Sequence, residues 1–528
     1  MPKDLVFGSD VRMKLQIGVQ KLAKAVSATL GPKGRNVILG RGYGSPIVTK
    51  DGVTVARDID LKDPIENLGA QLVKNSASKM NDLAGDGTTT TTVLAEAIIN
   101  EGMKLIAAGH DSQALRRGIE KCTDAIVEEL KKDSTPVSGD MIEHVASISA
   151  NDKSIGKMIA DAMKAVGTNG VILVEEGNGL KNEVEVIDGM RINTGYVSSH
   201  MSTDPETLKA EYVDSQILVT DQKIRSAMDL VPLVESLMKT GARQLVIIAD
   251  DVEGDALATM IVNKQRGIFS FLAIKAPGYG DRKRENLEDI AIATGATLIS
   301  PDSGRKFDTV TVADLGTAKK IIADKDETTI VGAGGSKTAI ADRITALRFK
   351  QEESDQDHMK MHYENRIAAL SGGVAMIKAG AASEVEMQEI KHRIEDAVNA
   401  TKAAVAEGIV RGGGMALLSA RRAIGMLGLE GDEFLAVGMM FRAVEMPLRR
   451  IAENAGKEPA EIIVGVKDAP YGRGWNAATN VFEDLIAAGI IDPTKVTRCA
   501  LQNAASVAAM ILTTEASVTE EVVEPITK

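Results

Sequence analysis

The sequence predicts a multidomain α protein with an inserted α/β domain: a mainly helical domain built from both chain ends, interrupted by a smaller unit of alternating strands and helices. Three observations predict it. The 528 residues exceed one ordinary domain, since domains hold roughly 100–200 residues each. Amphipathic helical patterns fill both outer parts of the chain. Between them, short apolar runs alternate with helical stretches, the pattern of an α/β unit.

In chain order, residues 10–30 read as an amphipathic helix stopped by Gly31-Pro32, and Val37-Ile38-Leu39 as a strand. Ile47-Val48-Thr49 and Val53-Thr54-Val55 flank Asp51-Gly52, which predicts a hairpin turn. Pro64 suits the first turn of a helix to about Leu83, with Ile65, Leu68, Leu72 and Met80 near one stripe. Further helices follow Asp86-Gly87 and span about 112–132. The texture changes near Ser134-Thr135-Pro136. Strands are expected at Gly170–Val174, Gln244–Ala249, Phe271–Ile274 and Thr297–Ile299, and helices at about 226–240, 254–267 and 284–295. Helical patterns return from about 336, break at Gly412-Gly413-Gly414, and continue past 490 before an acidic end from Glu515 to Lys528.

Composition narrows the function classes. A net charge of -12 disfavours a nucleic-acid binder, which needs concentrated positive charge. Aromatics are only 3% against 49 Gly and 22 Met, so the core must rest on close helix packing rather than aromatic plugs. Cys122 and Cys499 have no metal spacing and read as small buried or half-buried thiols in a reducing compartment. The start, Met1-Pro2-Lys3-Asp4-Leu5, lacks a signal-peptide core, and no apolar run approaches the ~20 residues of a membrane span. A cytosolic protein, or its equivalent in an organelle or a virus-infected host, is expected.

The sharpest local signal is Gly85-Asp86-Gly87 followed by five threonines, Thr88 to Thr92. Threonine branches at Cβ and is a poor helix former. A helix start needs one capping oxygen, not five hydroxyls. Either this is an Asp-Gly turn and cap, or hydroxyls, free amides and the helix dipole converge on a phosphate, with Asp86 holding Mg²⁺. Thr29-Leu30-Gly31-Pro32-Lys33-Gly34-Arg35 is a helix-stop loop or a second close approach to a ligand. Asp51 has the ready explanation of its turn. Asp396 falls opposite the stripe of Ile390, Ile394, Val398 and Val405. That makes it a solvated carboxylate paired with Arg393, or one aimed into a neighbouring cleft. Gly412-Gly413-Gly414 is a flexible connection or a nucleotide contact. Gly332-Ala333-Gly334-Gly335-Ser336-Lys337-Thr338 mimics a P-loop, but Ser336 stands where glycine is required. Gly40, Gly42 and Gly44 match no dinucleotide fingerprint, and the six histidines form no metal spacing.

Taken together, the chain resembles the group I chaperonins, the GroEL family. The motifs are LGPKGRNV at 30–37, TKDGVTVAR at 49–57, GDGTTTTTV at 85–93, ISAN at 148–151, ADDVEGDALAT at 249–259 and KAPGYGDRK at 275–283. RIEDAVNAT at 393–401, RGGGMALL at 411–418, NAAT at 476–479 and IDPTKVTRCALQNAASVA at 491–508 complete the series. The resemblance implies a mainly helical equatorial ATPase domain (1–132 and 407–528), a small intermediate hinge domain (133–187 and 374–406) and an α/β apical domain (188–373).

By the same resemblance, Leu30, Gly31, Pro32 and Lys50 contact ATP, Asp86 binds Mg²⁺, and Gly87, Thr88, Thr89 and Thr90 cradle phosphates. Gly413, Asn476, Ala477, Ala478, Ile490 and Asp492 surround the adenosine. Asp51 and Asp396 position the attacking water, Asp396 arriving when its domain swings down. K⁺ is a further implied ion. Val231, Val234, Leu257, Ile261 and Val262, which periodicity alone reads as core, are implied to line an apical groove for unfolded polypeptide clients and a GroES-type lid. Tyr196, His200 and Met201 join it. Partners are further copies of the chain, in seven-membered rings stacked back to back, with no nucleic acid and no membrane. The sequence departs from the family at His200 and Met201, where aromatics are usual, at Thr194 for an Arg, at Trp475 for a Tyr, and in ending Glu520 to Lys528 without a Gly-Gly-Met tail. Outside the resemblance, a small-molecule ATP enzyme and a passive structural ring compete.

Overall fold

The computed structural model describes residues 3–520 except 41–45, 138, 140, 151, 168–169, 178, 206, 302–303, 306, 355 and 470–471. Gly42, Gly44, Asn151 and the end from residue 521 onward therefore lie outside the described residues. The chain forms two compact units. One comprises Met1–Ala160, Asn178–Lys181 and Ala379–Lys528, the other Asp161–Gly177 and Asn182–Lys378. The inserted-unit organisation read from the sequence is present.

The first unit is helical. Helices Gly8–Ser27, Pro64–Ala84, Thr88–Ala107, Ser112–Lys132 and Thr494–Leu512 bury one continuous apolar core. Small residues let them approach. A Cβ on Gly18 would fall 1.8 Å from the Glu66 carbonyl, and one on Gly69 2.2 Å from that of Leu15. This is the close packing that the aromatic-poor composition required. In the Pro64–Ala84 helix the buried stripe runs through Ile65, Ala70, Val73, Ala77 and Met80, while Leu68 is exposed, contrary to expectation. Both cysteines are buried and reduced. The two chain ends meet: Lys3–Phe7 pairs antiparallel with Ala516–Glu520, so part of the acidic end is a strand.

One expected hairpin is replaced by another. Val37–Leu39 pairs with Ile47–Thr49. Val53-Thr54-Val55 is not a strand but part of the helix Gly52–Asp58, with Asp51 as its N-cap. The carboxylate satisfies orphan amides of the first turn, which outweighs the β preference of the branched residues.

The second unit is built on an eight-stranded mixed sheet. Ala210–Val219, Gln244–Ala249 and Ser270–Lys275 are parallel, joined through helices Val231–Lys239 and Gly254–Gln265. Gln244–Ala249 and Ser270–Lys275 are buried on both faces, as central parallel strands require, whereas Ala210–Val219 is so only from Ile217 onward. Gly316–Ala323, Thr328–Ala333 and Glu183–Ile192 extend the sheet antiparallel. Thr297–Ile299 does not form the expected strand; only Ile299 makes a single bridge, to Thr220. The P-loop mimic spans a strand end and the start of helix Lys337–Glu353, and Lys337 pairs at the surface with Asp188 at 2.7 Å. Among the described residues no helix is long and apolar enough to cross a membrane.

Candidate functional site

The site in the helical unit begins at the Thr88–Ala107 helix. Gly87 precedes it with a left-handed backbone, φ 84°, and supplies no side-chain cap. The first-turn amides are therefore directed outward, at the positive end of a 20-residue helix. The threonines divide into two sets. Thr91 and Thr92 donate their hydroxyls back to the carbonyls of Gly87 and Thr88, at 2.9 and 3.0 Å. Thr88 and Thr90 make no such bond, and Thr89 Oγ1 lies 3.4 Å from that of Thr29. The surplus hydroxyls are the three at the helix mouth.

Three other segments close around this mouth. A Cβ on Gly52 would lie 2.1 Å from Thr89 Oγ1, so the start of the Gly52–Asp58 helix abuts the threonine run directly. Asp51 accepts from the Val53 and Thr54 amides at 3.1 and 3.0 Å and from Thr54 Oγ1 at 2.5 Å, which fixes its carboxylate. A Cβ on Gly85 would lie 2.1 Å from Asn399 Cβ. The helix Glu384–Glu407 is thereby seated on the Gly85 loop. Asp396, on that helix, is not the solvated partner of Arg393; Arg393 pairs with Glu389, and Asp396 faces Asp51 and Asp86. The third segment is the pairing of Ile409–Arg411 with Ile491–Pro493, which sets Asp492 beside Gly413.

The carboxyls here are electrostatically unusual. Burial pushes Asp396 well above the usual carboxylate range, with Asp51 and Asp86 pushing the same way. Burial raises Asp86; the Gly87 amide, donating at 2.5 Å, opposes this and Asp51 adds to it. Asp492 is pushed up to about 7 by burial and then by Asp86, against the Gly413 amide. These residues keep some solvent contact at their surfaces, but their carboxyl groups lie deep enough for burial to dominate. Lys50, half-buried nearby, is lowered by burial and then by Arg393. Carboxyls that raise one another's proton affinity cannot all ionise without a compensating cation. Among the described residues no three side chains converge tightly enough to hold a metal ion alone.

The other end of the site is apolar. Leu30 and Ile490 pack against a cluster containing Ile451, Trp475 and Ala477. Asn476 makes a turn: its side-chain oxygen accepts from the Ala478 and Thr479 amides at 2.9 and 3.3 Å, and its nitrogen donates to Glu483 at 2.6 Å. Trp475 donates to Asn480 Oδ1 at 3.1 Å, a use that Tyr cannot reproduce from the same atom. Space for a Cβ is open at Gly413. Leu30, Ala477 and Ile490 thus share one apolar cluster, to which Ile451 joins the Gly31 backbone, while Ala478 is exposed.

In the α/β unit, helices Val231–Lys239 and Gly254–Gln265 each carry two apolar stripes. Leu233, Leu237, Ala256 and Met260 are buried in the core. Val231 and Val262 are 38% and 42% exposed, and Val234, Leu257 and Ile261 are half-buried. Periodicity alone assigned this second stripe to the core; Val234 and Leu257 do pack against it while half-buried, whereas Val231 and Val262 are exposed. Tyr196 is half-buried and donates to the Leu208 carbonyl at 3.0 Å; His200 is exposed. Met201 is not on the surface. It is 1% exposed, and its sulfur accepts from the Ala273 amide at 3.1 Å. The single 3₁₀ turn Ser199–Met201 turns His200 outward and Met201 into the core. Thr194 donates to the Lys275 carbonyl at 2.6 Å.

Residues 22–521 match the TCP-1/cpn60 chaperonin family. The chain belongs to that family. The motif series places this chaperonin with the group I members, and its role is that of a molecular chaperone. Among solved structures it is similar to the chaperonin gp146 from the bacteriophage EL 2 (Pseudomonas aeruginosa), crystallised in the presence of ATP-BeFx. In one crystal form the TM-score is 0.72 at 21% identity, over 98% of this chain and 99% of that one. In another the TM-score is 0.65 with the same identity and coverage. At that identity the likeness establishes the chaperonin fold.

Sequence reasoning missed two residues of this chaperonin's site. Asn399 supports the Gly85 loop, and its signal was the position one turn from Asp396 on the same helix. Asn454 touches the Leu30 loop from a helix more than 420 residues away, and carried no local signal.

Proposed function

We propose that this chaperonin is an ATP hydrolase that captures non-native proteins on its apolar grooves and encloses them in a ring cavity. The supporting observation is the helix mouth of Thr88–Thr90 facing the carboxyls of Asp51, Asp86 and Asp396. Backbone amides and hydroxyls there suit phosphate oxygens. Asp86 is the residue for Mg²⁺, which when bound neutralises phosphate charge and polarises the phosphorus centre; K⁺ is a second candidate ion. Asp51, held by three donors, orients a water. Asp396, with its raised proton affinity, takes the proton from that water as the water oxygen bonds to the γ-phosphorus and the bond to the β,γ-bridging oxygen breaks, leaving ADP and phosphate. Leu30, Gly31, Pro32, Lys50, Gly413, Asn476, Ala477, Ala478, Ile490 and Asp492 complete the nucleotide pocket.

The chain is divided functionally into equatorial (1–132, 407–528), intermediate (133–187, 374–406) and apical (188–373) domains. Tyr196, His200, Val231, Val234, Leu257, Ile261 and Val262 form the client and lid surface. Met201 is removed from it, because a side chain inside the core contacts no client. Each groove binds an apolar segment weakly, and a seven-membered ring multiplies the contacts. ATP changes groove accessibility only by binding one conformation of the subunit more tightly than the other. A GroES-type lid competes for the same groove. The protein works in the cytoplasm or its equivalent in an organelle or infected host.

Particle imaging with and without ATP, together with phosphate release in the absence of any acceptor, tests this reading. Rings that change shape with nucleotide and turn over ATP alone are expected. A monomer that phosphorylates a small molecule would replace the proposal with the enzyme alternative.

A further inference from the structure

The Leu30-Gly31-Pro32 loop is closed by short-range backbone bonds: Leu30 N donates to the Ser27 carbonyl at 3.2 Å, Gly34 N to that of Gly31 at 3.0 Å and Arg35 N to that of Ala28 at 2.8 Å. It follows the end of helix Gly8–Ser27, and Gly31 adopts φ 85°. A second hold comes from the far end of the chain. Asn454, the last residue of helix Met446–Asn454, donates through Nδ2 to both the Ser27 and the Leu30 carbonyls, each at 2.9 Å. One turn earlier, the Ile451 side chain would lie 3.2 Å from a Cβ on Gly31. A single amide thus pins the carbonyls on either side of Ala28-Thr29, and an apolar side chain fits beneath the glycine that follows.

We infer that Asn454 is a positioning residue for nucleotide, clamping the Leu30–Pro32 loop in the conformation that receives it. The inference rests on the nucleotide reading of that loop. The clamp touches neither Asp51 nor Asp396, so it acts on binding and leaves the chemical step alone. A loop in its competent position only part of the time lowers apparent affinity by that fraction. Interactions equally present in the bound and transition states change KM and not kcat.

The test compares the unmodified full-length chain with Asn454→Asp, which keeps the shape but turns an acceptor toward two carbonyls. Dissociation constants for Mg·ADP, steady-state ATP turnover and oligomer size are measured together. The expected result for Asn454→Asp is a rise in Kd and KM of about tenfold, with kcat within about twofold and unchanged particle size. If that variant does not assemble, Asn454→Gln retains the donor on a longer reach. It is expected to show the same split at smaller size. An unshifted Kd in a well-assembled variant, or a fall in kcat at constant KM, overturns the clamp. Failure of the unmodified chain to bind ADP or ATP overturns the nucleotide reading and the clamp with it, an outcome distinguished by the first measurement alone.

Discussion

Replacing Asp492 by asparagine should make the ligand-free protein more stable above neutral pH and leave it unchanged in strong acid. The carboxyl is raised from 3.8 to about 7 in the folded chain, chiefly by burial. Between those two values the folded state holds a proton that the unfolded state has released. Stability from this group is therefore fully present below the unfolded value and is lost as pH rises through about 7. At about 1.4 kcal/mol per pH unit the loss is at most about 4 kcal/mol, and about 2 kcal/mol after allowance for the residue's partial solvent contact. Asparagine has the same shape and never ionises, so it recovers this amount at pH 8. For a unit of about 300 residues that corresponds to a rise in Tm of about 3–6 °C. The assay is calorimetry of both proteins without nucleotide at pH 5 and pH 8, paired with Mg·ATP affinity. The expected pattern is a smaller Tm gain for Asp492→Asn at pH 5 than at pH 8, since pH 5 already lies above the unfolded value of 3.8, and weaker nucleotide binding. A variant less stable than the parent at both pH values would refute the claim that this carboxyl is held at a cost for binding.

Asp396→Ala should bind ATP but hydrolyse it about 10²–10⁴-fold more slowly, measured by single-turnover phosphate release; unchanged turnover would remove its role. Val234→Ser and Leu257→Ser should weaken capture of an unfolded chain by tenfold or more through several grooves, while ATPase activity survives, as read by aggregation suppression and phosphate release. Met201→Ala should destabilise the α/β unit by about 2–5 kcal/mol, whereas His200→Ala should leave the melting curve unmoved and alter only client binding. Equal melting curves for the two would contradict the inward placement of Met201.

Much of the fold was legible because it is locally encoded. The outer helices repeat every 3.6 residues, two of them stopping at Gly85 and Gly408, and the parallel strands Gln244–Ala249 and Ser270–Lys275 carry short apolar runs typical of buried strands; Ala210–Val219, whose polar residues interrupt it, was not legible. Asp51-Gly52 failed because the same dipeptide serves a hairpin turn and a helix cap, and the branched Val53-Thr54-Val55 tipped the choice toward a strand. In the groove helices two apolar stripes compete, Leu233–Leu237 and Val231–Val234, and periodicity cannot say which one meets the core. Met201 and His200 alternate within a single 3₁₀ turn, too short for any period. The pairing of Lys3–Phe7 with Ala516–Glu520, and the reach of Asn454 to Leu30, depend on contacts that no window of sequence contains. The nucleotide motifs were visible as residue types, but their electrostatics were not: Asp396 meets Asp51 and Asp86 through tertiary packing of its helix, including the seating of Asn399 on Gly85.

The central claim, that nucleotide energy is spent on capturing and releasing unfolded chains, is tested most directly by refolding a denatured, aggregation-prone enzyme with this protein present. Recovery of enzyme activity is predicted to require ATP, with or without an added lid, and to fail with Asp396→Ala. Equal recovery without nucleotide, or no effect of the protein on aggregation at all, would contradict it.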